Sequence, residues 1–254
     1  MTIVAAVIGG TGVVVDDVLD SYAPLEPAAT EFGAPSAALM AGRIDNVAIL
    51  FLARHSAAQS IPPHRINYRA NIAALKAAGA QAIFAFAAVG GITESAAPGA
   101  IVIPDQIIDY THGRTTTFFD TPDAVEFIDF TEPYTARLRR CLLDAAANVN
   151  VPVVDGGVYG AVQGPRLETA AEIRRMRNDG CDIVGMTGMP EAALAREAGL
   201  PYATMAVVAN RAAGLAPGEL KVEDMVATLR GGQQRAASVL RRAILTFAAG
   251  ETFG

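Results

Sequence analysis

The sequence contains few of the residue types on which redox, metal-binding and disulfide-stabilised proteins depend. Its 254 residues include no tryptophan, two cysteines and three histidines, and 6% of them are aromatic. Cys141 and Cys181 lie far apart and have no histidine nearby, which predicts two buried thiols in a reducing, cytoplasmic compartment. His64 and His112 lack the spacing of metal ligands, with each other or with acidic residues, so we predict no bound metal.

Positive charge is scarce as well. The chain has 26 acidic and 20 basic residues, which gives a formal charge of −6. A nucleic-acid-binding protein needs a basic stripe to neutralise phosphates, so this composition argues against nucleic acid as a partner. No apolar run reaches the ~18 residues that cross a bilayer, and the N-terminal segment MTIVAAVIGGTG lacks the basic start of a signal peptide. We therefore expect no membrane partner.

Apolar residues are abundant, at 52% of the chain, and they exclude disorder and predict a sizeable core. Short apolar runs alternate with helical stretches, which is the pattern of an α/β fold with a buried sheet. No linker or repeat interrupts the pattern, so we predict a single domain over residues 1–254. The predicted strands cover residues 3–8, 47–52, 82–88, 100–108, 151–159, 183–186 and 202–209. The predicted helices cover residues 66–78, 135–148, 168–178, 190–198 and 222–248.

Two polar or glycine-rich groups follow predicted strands, where α/β sheets bind ligands. The segment 9–12 (GGTG) follows the first strand and predicts either an anion cradle of backbone amides or a plain turn. It lacks the third glycine of a dinucleotide-binding fingerprint and the GK[ST] ending of a P-loop. Arg54 and His55 follow the second strand and offer a donor fork and a further hydrogen bond to phosphate, although, taken alone, the pair is more typical of a surface cation beside an ordinary histidine.

Four further segments have both a functional and a structural interpretation. Residues 87–91 (AAVGG) end a strand in small residues that offer backbone amides or form a tight turn. Residues 164–169 (GPRLET) and 185–191 (GMTGMPE) place Glu168 at a helix start, where the helix dipole favours an acid, and Met186 at a strand end, where methionine often fills a core. Residues 207–210 (VVAN) end a strand in a turn-forming asparagine. The irregular stretch 111–132 predicts a lid, a binding loop or an oligomer contact.

In this order, the motifs resemble those of the trimeric purine nucleoside phosphorylase and methylthioadenosine phosphorylase family, from residue 4 to about residue 226. The resemblance implies a three-layer α/β/α fold with a central mixed, partly barrel-like sheet of the phosphorylase/hydrolase type. It also implies a homotrimer that cleaves a purine nucleoside with inorganic phosphate as co-substrate and without a cofactor. The small-molecule partners are then the nucleoside and phosphate.

The resemblance assigns roles to individual residues. The phosphate-binding set is Thr11, Arg54, His55, Ala88 through its backbone, and Thr187. The substrate-binding set is Met186 against the ribose, with Glu168, Asn210, Arg211 and Ala212 around the base. Asn210 and His55 are the predicted catalytic groups, because stabilising the departing purine and positioning the anion supply the rate.

The base is predicted to be a 6-oxopurine. The 6-amino branch of the family has an aspartate where this chain has Asn210. An amide can donate to O6 while its oxygen accepts from N7–H, and the Glu168 carboxylate can accept from N1–H of hypoxanthine. Adenine has a lone pair at N1, so it would leave buried polar groups mispaired at a cost of roughly 1–3 kcal/mol each.

The sugar end resembles the methylthio branch instead. The 5′-hydroxyl phosphorylases have a histidine near the start of the last long helix, whereas this chain has Val222 and Val226 there. Together with the base prediction, this implies phosphorolysis of S-methyl-5′-thioinosine to hypoxanthine and 5-methylthioribose 1-phosphate. The alternatives are an inosine/guanosine phosphorylase, a methylthioadenosine phosphorylase and a non-catalytic nucleoside-binding protein.

Three positions depart from the family pattern. Leu167 stands where a phenylalanine usually packs on the base, and Ala212 replaces a second acid of the 6-amino branch. Phe127 lies in a segment where methylthio-type relatives often carry a histidine contributed by a neighbouring subunit. An aromatic ring there still suits a thioether.

Overall fold

The computed structural model describes residues 3–25, 30–121, 125–218 and 222–250, without the side chain of Val222. Six α-helices lie in this part of the chain, and five of them were predicted. The unpredicted one, α1, spans four residues, which is too short to produce a periodic pattern. The helices are α1 (Val15–Val18), α2 (Tyr68–Ala77), α3 (Ala136–Asn148), α4 (Ala170–Asn178), α5 (Glu191–Glu197) and α6 (Val222–Ala248).

Eleven strands in the described part of the chain form one mixed sheet, in agreement with the predicted fold class. Its main path runs β2-β3-β4-β1-β5-β10-β9-β7, and β11 pairs with β5 and with β6, which in turn pairs with β8. The strands are β1 (Ala5–Gly9), β2 (Ser21–Pro24), β3 (Met40–Ile44), β4 (Val47–Ala53), β5 (Ile83–Gly91), β6 (Ile101–Ile103), β7 (Gln106–Asp109), β8 (Val154–Asp155), β9 (Val158–Ala161), β10 (Ile183–Gly185) and β11 (Tyr202–Arg211).

Helices cover both faces of the sheet. Alternate residues of β1 enter opposite cores: Ile8 packs in the same cluster as residues of α2 and α5, and Val7 packs in the same cluster as residues of α3 and α6. Because both faces of β1 are buried, its sequence is continuously apolar and does not alternate. The predicted three-layer arrangement follows from these two cores.

Two predicted strands are each divided in the structure. The stretch 100–108 becomes β6 and β7, separated at Pro104, which has no backbone N–H to donate to a ladder. The stretch 151–159 becomes β8 and β9, separated at Gly156 and Gly157, whose φ values of +87° and +113° interrupt the extended chain. Strands β2 and β3 were not predicted, because the exposed β2 and the glycine in β3 weaken the strand pattern.

Both cysteines are buried and unpaired, as predicted. Within the described ranges, no helix is both long and apolar enough to cross a membrane. The same residues contain no group of three His, Cys, Asp or Glu side chains that could hold a metal ion.

Candidate active site

The carboxyl ends of four strands meet at one edge of the sheet. Strands β4, β1, β5 and β11 are adjacent in that order and run parallel to one another, so the residues that end them lie side by side. A cavity of about 280 Å³ opens at this edge. It is lined by ten of the predicted site residues: Thr11, Arg54, His55, Ala88, Glu168, Met186, Thr187, Asn210, Ala212 and Val226.

Two predicted site residues are not among those lining the cavity. Arg211 donates through Nη1 to the carbonyl of Thr93 and pairs through Nη2 with Glu94, so its charge is directed elsewhere. Arg211 directly follows Asn210 in β11, and consecutive strand residues point to opposite faces of a sheet, so the side chain of Arg211 points away from the cavity that Asn210 lines. Val222 begins α6, but its side chain lies outside the described residues and its role remains a prediction.

Arg54 is the buried cation of the cavity, with 1% of its surface exposed. Its Nε and Nη2 donate to the two carboxylate oxygens of Glu191 at 2.6 and 2.7 Å, and Nη1 donates to the carbonyl of Phe86 at 2.7 Å. Burial by itself lowers the pKa of Arg54, but the carboxylate of Glu191 raises that pKa above its ordinary value, so the guanidinium stays charged. Of its five N–H groups, two remain for a ligand.

Glu191 was missed as a functional residue by the sequence analysis. It is fully buried at the first position of α5, where the helix dipole favours an anion. Besides Arg54, it accepts a hydrogen bond at 2.8 Å from the hydroxyl of Tyr202, which in turn accepts one from Thr204. In the sequence, a glutamate directly after Pro190 is typical of an ordinary helix start. Its contact with Arg54 exists only in the folded chain, so the sequence alone does not indicate it.

A glycine allows Arg54 to lie against the end of β1. A Cβ atom on Gly10 would stand 2.6 Å from the carbonyl oxygen of Phe86 and 2.9 Å from Nη1 of Arg54. Both contacts are shorter than packed atoms tolerate, so any side chain at position 10 would displace the guanidinium. The close packing of Phe86 and Arg54 therefore requires a glycine at position 10, within the predicted anion cradle.

His55 has one ring nitrogen fixed by the protein. Its Nδ1 lies 2.8 Å from the carbonyl oxygen of Ile61, and because a carbonyl only accepts, Nδ1 carries the proton. Burial, followed by the nearby charge of Arg54, lowers the pKa of His55 below its usual 6.5. The ring is therefore neutral at physiological pH.

Neutral donors complete this end of the cavity. Thr11 is exposed in the turn after β1, and Thr187 is buried in the turn after β10. Ala88 lies near the end of β5 and lines the cavity. Hydroxyl and backbone donors of this kind bind a tetrahedral oxyanion without adding net charge.

A β-bulge in β11 places Asn210 in the cavity. Val208 pairs with Val89 and Asn210 pairs with Gly90, so Ala209 is an extra residue without a partner on β5. As a result, both Ala209 and Asn210 line the cavity, although consecutive strand residues normally point to opposite faces.

The amide of Asn210 has a defined orientation. Its Nδ2 donates to the carbonyl oxygen of Arg211 at 2.6 Å, which distinguishes the amide nitrogen from the amide oxygen. One N–H and the oxygen Oδ1 therefore remain for a ligand. This is the donor and acceptor pair that O6 and N7–H of a 6-oxopurine require.

Glu168 is not the first-turn acid of α4, which corrects the predicted helix start. The helix begins at Ala170, with Thr169 as its N-cap, and Glu172 closes the capping box with Thr169. Arg166 also pairs with Glu172 rather than with the cavity. Glu168 therefore lies before the helix and lines the cavity, where burial raises the pKa of its carboxyl above the ordinary value.

The third part of the cavity is apolar. Leu167, Met186, Met225, Val226 and Leu229 contribute aliphatic and thioether groups, three of them from the first turns of α6. Val226 is 41% exposed and Leu167 is 38% exposed. Exposed apolar side chains around a cavity are typical of a site that an apolar ligand group covers.

The predicted loop 111–132 contains no helix or strand in its described residues, and it is fixed to the rest of the protein. Arg114 donates to the carbonyls of Val162 and Gln163, and Asp120 pairs with Arg69. Further along, Phe127 is 93% exposed. The loop is therefore anchored at its start and projects a large apolar side chain.

A larger depression of about 580 Å³ also has Glu168 in its lining. Arg166 and Glu172 in its lining pair with each other, and Arg175 pairs with Asp179. Among the described residues it shares only Glu168 with the smaller cavity, and it contains none of the phosphate-binding set.

The chain is similar to several known proteins along almost its whole length. The family model described as the phosphorylase superfamily matches residues 4–245. A probable S-methyl-5′-thioinosine phosphorylase from Xylella fastidiosa is 52% identical over 218 residues, or 85% of this chain and 92% of that protein. The 6-oxopurine nucleoside phosphorylase of Pyrococcus furiosus is 41% identical over 245 residues, or 94% of this chain and 91% of that protein.

The fold is also similar to that of solved structures. The methylthioadenosine phosphorylase from Schistosoma mansoni in complex with adenine superimposes with a TM-score of 0.92 at 32% sequence identity. The match covers 98% of this chain and 93% of the other.

Proposed function

Because this chain belongs to the phosphorylase superfamily, we propose that it is a pentosyltransferase that cleaves S-methyl-5′-thioinosine with inorganic phosphate. The products are hypoxanthine and 5-methylthioribose 1-phosphate. One observation carries the proposal: a single cavity has an anion-binding end, a pair of base-reading groups and an apolar wall. Phosphate is the co-substrate, and the residues supply the remaining chemistry without a cofactor.

The reaction exchanges one bond at C1′ of the sugar for another. A phosphate oxygen bonds to C1′ as the bond from C1′ to N9 breaks, and the bonding electron pair leaves with the purine. Monohydrogen phosphate and the neutral nucleoside give a dianionic sugar phosphate and neutral hypoxanthine, so one proton passes overall from phosphate to base. The sugar becomes cationic in the transition state, so an anion held beneath it lowers the barrier.

Asn210 and Glu168 recognise and stabilise the purine in this proposal. The free N–H of the Asn210 amide donates to O6, and Oδ1 accepts from N7–H as negative charge develops on the departing base. The carboxylate of Glu168 accepts from N1–H. Because adenine has an amino group at C6 and a lone pair at N1, it mismatches both residues.

The phosphorolysis itself is tested with purified protein and S-methyl-5′-thioinosine. We expect hypoxanthine and a sugar phosphate in equal amounts when phosphate is present, and no hypoxanthine when it is omitted. Release of hypoxanthine without phosphate would identify a hydrolase. Binding without any product would identify a nucleoside-binding protein.

The pH dependence of 6-oxopurine cleavage is expected to show the ionisation of Glu168. Burial raises the pKa of this carboxyl above its ordinary 4.5, and only the ionised form accepts from N1–H. The value of kcat/KM should therefore fall as the pH decreases through the raised pKa, and this fall should begin at a higher pH than an exposed glutamate would give. The measurement is a kcat/KM profile of the unchanged protein and of Glu168→Gln.

His55 is a second group that can contribute to this profile, because its pKa lies below the usual 6.5. Glu168→Gln should remove the inflection of Glu168 and leave any contribution of His55 in place. An unchanged profile in Glu168→Gln would show that this carboxylate does not bind the base.

Val226 is expected to set the preference at the 5′ position. Its partly exposed side chain lines the apolar wall beside Met225. A small apolar group in a matched pocket contributes ~1–3 kcal/mol, so the unchanged protein should prefer methylthioinosine over inosine by roughly 10- to 100-fold. Val226→His should reduce or reverse this ratio of kcat/KM values by offering a hydrogen bond to the 5′-hydroxyl, and Val226→Leu should preserve it. Equal effects of both variants would contradict the assignment.

We further propose a homotrimer in which the segment around Phe127 contacts a neighbouring chain. A phenylalanine that is 93% exposed and a valine, Val125, that is 65% exposed support an interface at this place. An aromatic side chain contributed there would complete the thioether end of the neighbour's site.

A further inference from the structure

The anion-binding end of the cavity has little net positive charge. Arg54 is its cation, and both carboxylate oxygens of Glu191 already neutralise it within the protein. Arg54 and Glu191 are also the charged groups that act on His55, and the histidine itself is neutral because burial and Arg54 lower its pKa. A phosphate dianion is therefore held mainly by hydrogen bonds at this end.

The tautomer of His55 decides which hydrogen bond the ring offers. Nδ1 carries the proton and donates to the carbonyl of Ile61 at 2.8 Å. In a neutral imidazole the other nitrogen, Nε2, then has a lone pair and no hydrogen. Within the described part of the chain Nε2 has no hydrogen-bond partner, and His55 lines the cavity. The ring thus presents an acceptor to the anion.

We propose that Nε2 of His55 accepts a hydrogen bond from a protonated oxygen of the bound phosphate, so that the site selects tetrahedral anions that carry a proton. The inference rests on the proposed function in one respect, namely that the anion bound here is phosphate. The other donors, including the two remaining N–H groups of Arg54, bind the unprotonated oxygens. The bound phosphate is therefore monohydrogen phosphate, the form that the reaction consumes.

This arrangement predicts discrimination among oxyanions of similar size. Near neutral pH, phosphate and arsenate carry a proton, whereas sulfate and selenate do not. An unprotonated oxygen against the lone pair of Nε2 replaces a hydrogen bond by repulsion. Sulfate and selenate should therefore bind on the order of 10- to 100-fold more weakly than phosphate and arsenate.

The binding test is calorimetry of these four anions with the free protein, without nucleoside, at several pH values. At pH 7.5 we expect the two protonated anions to bind more tightly than the two unprotonated ones. As the pH falls through the lowered pKa of His55, Nε2 gains a proton and becomes a donor, so sulfate binding should tighten by roughly tenfold. Equal binding of sulfate and phosphate at pH 7.5 would overturn the proposal.

Two variants separate the role of Nε2 from that of the bond to Ile61. His55→Asn retains an amide nitrogen near the position of Nδ1 and places nothing at Nε2. His55→Gln reaches the position of Nε2 with an amide that can donate to sulfate. We expect the phosphate-to-sulfate ratio to fall towards one in His55→Gln, with no pH dependence of sulfate binding. A ratio unchanged in both variants would overturn the proposal.

The protonation state can also be observed directly in the unchanged protein. The chain has three histidines, so ¹⁵N spectra of labelled imidazoles are simple, and His64→Gln and His112→Gln assign the other two. We expect His55 to keep one protonated and one unprotonated nitrogen when phosphate saturates the site. A doubly protonated ring in the complex would overturn the inference, even in an active phosphorylase. Absence of phosphorolysis with every nucleoside would instead contradict the proposed function alone.

Discussion

Glu191→Gln is expected to lower the free energy of unfolding by about 3–5 kcal/mol, because it leaves the buried charge of Arg54 without a counter-ion. Saturating phosphate should stabilise this variant more than the unchanged protein, since the bound anion supplies the missing negative charge. The kcat should fall at least about tenfold, because the glutamine amide has one acceptor oxygen and one donor nitrogen, so the guanidinium loses the two-point pairing that fixes its orientation. Denaturant unfolding with and without phosphate, combined with kinetics, measures all three effects.

Two comparisons separate positioning from folding in this experiment. Arg54→Met/Glu191→Gln removes both charges, and it should regain part of the lost stability without regaining kcat. Asp120→Asn breaks a partly exposed ion pair with Arg69 and should cost less than about 1 kcal/mol. A stability loss in Glu191→Gln no larger than that of Asp120→Asn would contradict the role assigned to Glu191.

Asn210→Asp is expected to shift the base preference from hypoxanthine towards adenine. A carboxylate at this position accepts from the exocyclic amine of adenine but cannot donate to O6 of hypoxanthine. It would also place an oxygen against the carbonyl of Arg211, where Nδ2 of the amide now donates at 2.6 Å. We therefore expect the ratio of kcat/KM for methylthioadenosine to that for methylthioinosine to rise on the order of 100-fold or more, with lower activity overall.

The control for this change is Asn178→Asp, the same substitution at the exposed end of α4. It should leave the ratio of the two substrates unchanged. The double variant Glu168→Gln/Asn210→Asp should move the ratio further, because a glutamine amide can donate to N1 of adenine. If Asn210→Asp keeps the selectivity of the unchanged protein, Asn210 does not recognise the base.

The strands and helices that position the site were largely predictable, because their signals are local. The apolar run before Gly9 predicts β1, and the bounds of α6 follow from its periodicity. Arg54 follows β4 and Asn210 lies at the end of β11, but each also has an ordinary local explanation, so it was the resemblance to the phosphorylase family that assigned them to the site.

The missed features depend on contacts between distant parts of the chain. Glu191 lies 137 residues from Arg54, and its position at a helix start already had a local explanation. The bulge at Ala209 and the proton on Nδ1 of His55 depend on the partner strand and on Ile61. The local pattern even misplaced Glu168, since both Glu168 and Glu172 suit the start of α4 and only the capping box distinguishes them.

The most direct test of the account is one phosphorolysis assay that compares kcat/KM for methylthioinosine, methylthioadenosine, inosine, guanosine and adenosine. The arrangement of Glu168, Asn210 and Val226 around one cavity predicts the highest value for methylthioinosine and the lowest for adenosine. Faster cleavage of methylthioadenosine than of methylthioinosine would contradict the claim that this carboxylate and this amide select a 6-oxopurine.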